Sequence, residues 1–175
     1  MKKMQLLLIS TCSLLLAACG QTSQQPATST KSTGTNSSAP VASAQATAVV
    51  RPVDANVLAA AKPTGQPCSF DSDPHLTLGK PHVLRGWLLG PERKPAGAFT
   101  FVLQGPQTLG VQATTGAQRP DVGKYLGNAA LASAGFTFST ELKAVQPGSY
   151  DVKLLVKRGS EAYICDTAKK LLVAK

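Results

Sequence analysis

The chain has 175 residues and a formal charge of +9, with 18 lysines and arginines set against 9 acids and 2 histidines. So few carboxylates and imidazoles leave little material for paired-carboxylate or histidine-based catalysis. No Gly-x-Ser-x-Gly elbow and no phosphate-cradling glycine loop appears, so the chemistry of a serine hydrolase or a nucleotide-binding enzyme is not expected.

In chain order, Lys2 and Lys3 open a short positive stretch, and Gln5 to Leu16 is mostly apolar. A membrane-spanning helix needs roughly 20 apolar residues, so this run has the length of an export signal instead. It ends in Leu16-Ala17-Ala18-Cys19, which resembles the lipobox of bacterial lipoproteins. The resemblance implies removal of residues 1–18 as a signal peptide and attachment of acyl chains, palmitate among them, to Cys19. Two or more acyl chains make a stable anchor where one is marginal. Gly20 follows, without the aspartate that retains such proteins at an inner membrane, which implies the outer membrane of a two-membrane cell. The expected location is the cell envelope, on the periplasmic or the surface face. An exported protein seldom meets nucleic acid, so none is expected as a partner.

From Gly20 to about Gly65, Ser, Thr, Gln, Ala and Pro dominate and no aromatic residue occurs. Such a composition buries too little apolar surface to offset chain entropy, so residues 19–65 read as a lipidated cysteine followed by a disordered tether. Its reach would be roughly 35–40 Å as a flexible chain. Within it, Asp54 is placed to cap a short helix running through Ala61. Of four cysteines, Cys12 leaves with the signal and Cys19 carries lipid. Cys68 and Cys165 remain and most simply form one disulfide in an exported protein. A metal pair or a reactive thiol is the alternative, but neither cysteine has neighbouring histidines in sequence.

Residues 66–175 are enough for one modest core. His82–Gly90 reads as a strand, followed by a Pro- and Gly-rich turn. The next strand, in "AFTFVLQG", puts Phe99, Phe101 and Leu103 on one face. "TLGVQATT" reads as a further strand, and "GFTFSTEL" places Phe136, Phe138 and Leu142 inward. "SYDVKLLVKR" sets Tyr150, Val152, Leu154 and Val156 against Asp151, Lys153 and Lys157. "AYICDTAKKLLV" supplies the last one or two strands. Alternation of period two with turn signals between predicts an all-β, Ig-like antiparallel β-sandwich of about seven strands.

"LKAVQPGSYDVKLLV" is similar to the tyrosine corner of immunoglobulin and fibronectin-like domains. That resemblance implies a Tyr150 phenol bonded to upstream backbone where the chain crosses between sheets, with Leu142 beneath it. Gly86-Trp87, Arg119-Pro120-Asp121-Val122 and Gly135-Phe136 together resemble small β-sandwich domains of bacterial surface proteins, accessory modules of glycan-related enzymes. The likeness implies an accessory role and carries no catalytic residues.

Candidate site residues follow from local chemistry. Pro120 extends Arg119, so Arg119 and Asp121 are aimed rather than free. They either clasp a crossover between sheets, the favoured reading, or present Arg119 to a glycan with Tyr125 as a stacking platform. Trp87 shares a strand face with Arg85 and packs in the core, or else stacks on a sugar if that face is open. Asp71, Asp73 and His75 read as a polar turn; no metal and no cofactor is expected. The spread of lysines reads mainly as solvated strand faces. The functional expectation is a non-enzymatic, membrane-anchored binding or accessory module with glycan the favoured ligand. The alternative is a scaffold or adaptor that docks on another envelope protein through a sheet edge.

Overall fold

The computed structural model describes residues 48–175. The expected signal peptide (residues 1–18), the expected lipidation site Cys19 and residues 20–47 of the expected tether lie outside the described residues. Ten strands form two packed sheets, and the fold is an all-β sandwich. They are β1 (Val50–Pro52), β2 (Lys62–Pro63), β3 (Cys68–Phe70), β4 (His75–Thr77), β5 (His82–Leu88), β6 (Ala98–Gln104), β7 (Thr108–Thr114), β8 (Gly135–Thr140), β9 (Gly148–Arg158) and β10 (Glu161–Ala174). The larger sheet runs β1-β7-β6-β9-β10-β2, with β4 also on the outer edge of β10; the smaller runs β3-β5-β8. Two short helices, α1 (Ala55–Ala59) and α2 (Pro120–Tyr125), and a 3-10 segment (Ala129–Ala134) complete the described residues. None of these helices is long and apolar enough to cross a membrane.

The alternation read from sequence is the one that fills the interior. Phe99, Phe101 and Leu103 of β6 meet Phe136 and Phe138 of β8, and all five phenylalanines of the chain lie in one cluster. Phe101 sits edge-on to Phe138 at 5.5 Å between ring centroids, and Phe99 tilts against Phe136 at 5.0 Å. Such tilted pairs add to the area they bury. Gly86 lets this layer close: a Cβ there would lie 2.2 Å from the Ser69 carbonyl oxygen and 2.6 Å from the Phe136 ring. The last strand is a single 14-residue β10 that breaks register between Asp166 and Lys169, where Ala168 takes φ +54. This bulge lets one strand accept β2 along its first half and β4 along its second.

The chain crosses from β8 in the small sheet to β9 in the large one through residues 141–147. There the Tyr150 hydroxyl donates to the Gln146 carbonyl at 2.8 Å, and Tyr150 and Leu142 are buried. This is the tyrosine corner expected from the sequence. Burial pushes the Tyr150 phenol pKa up, against the pull of the Gln146 hydrogen bond. Cys68 and Cys165 form a disulfide across 97 positions, linking β3 of one sheet to β10 of the other.

The tether expectation needs correction over its last part. Residues 50–63 are built into the domain as β1, α1 and β2. β1 pairs with β7 at one edge of the large sheet, and β2 pairs with β10 at the other. The intervening chain must therefore pass over the outer face, where α1 lies beside Gln104, Thr108, Lys153 and Ile164. That face carries Val102 and Leu155, which point away from the sandwich interior and are nonetheless fully buried. The physical reason is that β6 and β9 are apolar on both sides, so their outer face needs a cover. Asp54 caps α1 by accepting the Asn56 N–H at 2.8 Å, as its position predicted.

Candidate functional site

The site argued from sequence lies on the long connection between β7 and β8, residues 115–134. Its neck is pinched shut: the N–H groups of Gly116 and Ala117 both donate to the Gly135 carbonyl, at 2.8 and 3.0 Å. The neck has no room for a side chain. A Cβ on Gly135 would stand 2.5 Å from the Ala117 carbonyl oxygen and 2.6 Å from Arg119 Cγ. Pro120 opens α2, and Asn128 caps the 3-10 segment by accepting the Ala130 N–H at 3.0 Å. Val122, Leu131 and Ala134 then cover Trp87 and Leu89 on the outer face of the small sheet, making a second apolar cluster.

Arg119 holds this connection to the rest of the fold. Its Nε and Nη2 donate to the Asp121 carboxylate, at 2.9 and 2.7 Å, and its Nη1 donates to Asp71 Oδ2 at 2.7 Å. One guanidinium thus joins α2 to the turn after β3, 48 positions away in sequence. Hydrogen bonds with Asp121 first, and with Asp71 next, raise the Arg119 pKa further above its already high ordinary value, while the Asp121 carboxyl is lowered by the same bond. The clasp reading is the one the geometry takes.

The five candidate residues are therefore not assembled into one open platform. Trp87 is core, only 8% exposed, so the reading of it as a sugar-stacking surface is corrected: the connection packs on that strand face and covers the indole. Arg119 and Asp121 are spent on each other. Arg85 is exposed, further along the same face of β5 and outside the cluster around Trp87. Tyr125 alone meets the expectation for a platform. It is 78% exposed at the end of α2, next to the exposed Lys124 in sequence; a shallow cleft between Pro120, Gly123, Lys124 and Ala129 lies on the same connection and is not lined by Tyr125. Asp71 was read only as part of a turn; nothing in the sequence marks it as the partner of Arg119, because the pairing is made by topology. Asp73 accepts the His75 N–H at 2.8 Å, as a polar turn does. Among the described residues no three His, Cys, Asp or Glu side chains converge to hold a metal ion.

The charges are distributed unevenly. Seven of the chain's nine acids sit in ion pairs, and the other two, Asp54 and Asp73, accept backbone N–H groups. Among the described residues, Arg51, Lys80, Arg85, Arg93, Lys94, Lys124, Lys157, Lys169 and Lys175 form no ion pair. The surface is consequently a field of uncompensated cations. The Lys157-Arg158 and Lys169-Lys170 pairs, which could have converged on neighbouring strands, do not face each other: Lys157 is opposite Ala162 and Lys170 opposite Asp151.

The sheet edges are short or closed. β1, β3 and β4 have three residues and β2 has two, and Pro52, Pro63 and Pro74 stand in or beside them. β8 is longer, but its outward carbonyls at Gly135 and Ser139 already accept from Gly116 and Ala117 and from Ala48. Compared with known protein families, curated proteins and solved structures, the chain matches none.

Proposed function

We propose that this protein is a lipid-anchored cell-envelope lipoprotein whose sandwich domain binds glycan without catalysing a reaction on it. The observation that carries the reading is Tyr125, a large aromatic left open to solvent on a connection that is otherwise fixed at every turn. An exposed ring offers an apolar face on which a sugar can stack. The clasp supplies what such a platform needs, since a ring on a rigid support loses little entropy on binding. Lys124 beside it offers a charged donor to hydroxyl or acidic groups. The lipobox-like sequence Leu16–Cys19 supports a location at the cell envelope, where polysaccharide is abundant. The adaptor alternative finds less support, because the edges a partner strand would use are short, proline-bearing or occupied.

The test is co-sedimentation of residues 48–175 with purified cell-wall glycan and with capsular polysaccharide. Saturable binding by the wild-type domain that is lost in a folded Tyr125→Ala variant, and kept in Arg85→Ala, is the expected result. Absence of binding to either glycan, or binding that ignores Tyr125→Ala, contradicts it.

A further inference from the structure

We infer that the end of the sandwich formed by the β5–β6 loop and the β9–β10 turn is a cationic contact surface for an acidic, uronate-bearing polysaccharide. The inference rests on the glycan reading above and adds the charge class of the ligand and a second contact region. The strand registers bring the end of β5, the start of β6, the end of β9 and the start of β10 to one end of the domain. Arg158 locks the two connections together: its Nε donates to Glu92 at 2.9 Å and its Nη2 to the Ala96 carbonyl at 2.8 Å. Glu161, at the start of β10, is taken by Lys62. Both acids of this end are thereby occupied, and Arg93, Lys94 and Lys157 are left exposed without an ion pair.

One further observation singles out this surplus. Arg93 sits at φ +57, a left-handed conformation that glycine adopts freely and a side chain adopts at a cost. A long cation held there, at the tip of the loop, is strain kept where a functional group is displayed. Three cations on two separate turns suit an extended polyanion, which can meet them in succession, better than one compact anion.

The experiment measures binding of residues 48–175 to polygalacturonate and to a neutral glucan of similar length, at low and high salt. Arg93→Glu/Lys94→Glu/Lys157→Glu is compared with a charge-matched variant from the other end, Lys80→Glu/Lys169→Glu/Lys175→Glu. The inference predicts that the wild type prefers polygalacturonate, that the first triple variant binds about tenfold more weakly, and that the second is nearly unchanged. Equal weakening in both variants would mean net charge alone and would overturn the assigned surface. Binding to phosphatidylglycerol vesicles in place of polygalacturonate would overturn the polysaccharide assignment. Loss of binding in Tyr125→Ala with no effect of the first triple variant would overturn this inference and leave the glycan reading standing; no binding of the wild type to any glycan would remove both.

Discussion

Tyr150 concentrates much of the fold's specificity in one hydroxyl. Its bond to the Gln146 carbonyl fixes the crossing between sheets, and the ring is wholly buried. Tyr150→Phe keeps the ring and leaves the carbonyl without its partner, so a loss of about 1–2 kcal/mol is expected in urea unfolding. Gly86→Ala puts a methyl group against the Ser69 carbonyl and the Phe136 ring, and a cost of about 1–3 kcal/mol follows if β3 moves to accept it. The clasp adds a pH signature. Asp121 is held below the ordinary carboxyl range by the Arg119 hydrogen bonds, Asp151 by Lys170 and Glu161 by Lys62, while Glu92 is lowered by its own backbone N–H first and by Arg158 next. These groups are more acidic folded than unfolded, so on acidification the unfolded chain takes up protons first. Their stabilisation is complete above the unfolded carboxyl range, near about 4, and is lost as pH falls through it toward the folded values. The urea midpoint should hold steady from neutral pH down to about 5 and drop below about 4. Arg119→Gln should make that drop shallower, because Asp121 then loses the partner that depresses it; an unchanged slope would mean that the clasp does not form in solution.

Among the elements, the segment 50–63 does the most with the least sequence signal. Its composition is that of a linker, and only the Asp54 cap was legible beforehand. Its role is set by residues elsewhere, because Val102 and Leu155 leave β6 and β9 apolar on their outer face and something must cover them. Removing residues 48–65 uncovers both side chains, opens the β7 edge of the large sheet and frees the first half of β10, while β4 stays on its second half. At roughly 1.5–3 kcal/mol for each side chain, residues 66–175 alone should be about 3–6 kcal/mol less stable than residues 48–175. Strand edges freed in this way should also drive self-association. Size-exclusion chromatography and thermal melts of the two fragments check this; identical melts would show that the cover is dispensable. The strands themselves were legible, because Phe99, Phe101, Leu103, Tyr150, Val152 and Leu154 recur at every second position and fill the core, whereas the burial of Val102 and Leu155 on the other face was not. The site was legible in part: Pro120 aims Arg119 as its chemistry requires, yet Asp71 and the covering of Trp87 come from tertiary packing that no local pattern records.

At the scale of the whole molecule, the disulfide and the charge balance decide how the domain behaves. The Cys68–Cys165 link closes nearly the full length of the sandwich and ties one sheet to the other. Reduction should cost roughly 4–5 kcal/mol in the chain-entropy account, seen as a lower urea midpoint in the presence of reductant. With all nine acids engaged within the fold, an acidic polymer meets lysines and arginines that form no ion pair, Arg93, Lys94 and Lys157 among them. In the proposed glycan reading, selectivity comes from a fixed feature, Tyr125 on its clasped connection. The most direct measurement is a backbone-amide NMR titration of residues 48–175 with capsular polysaccharide. The account predicts saturable shifts at Lys124, Tyr125 and Leu126, with the interior strands unmoved. No shifts at these residues, or shifts confined to the sheet edges β1, β3 and β8, would contradict it.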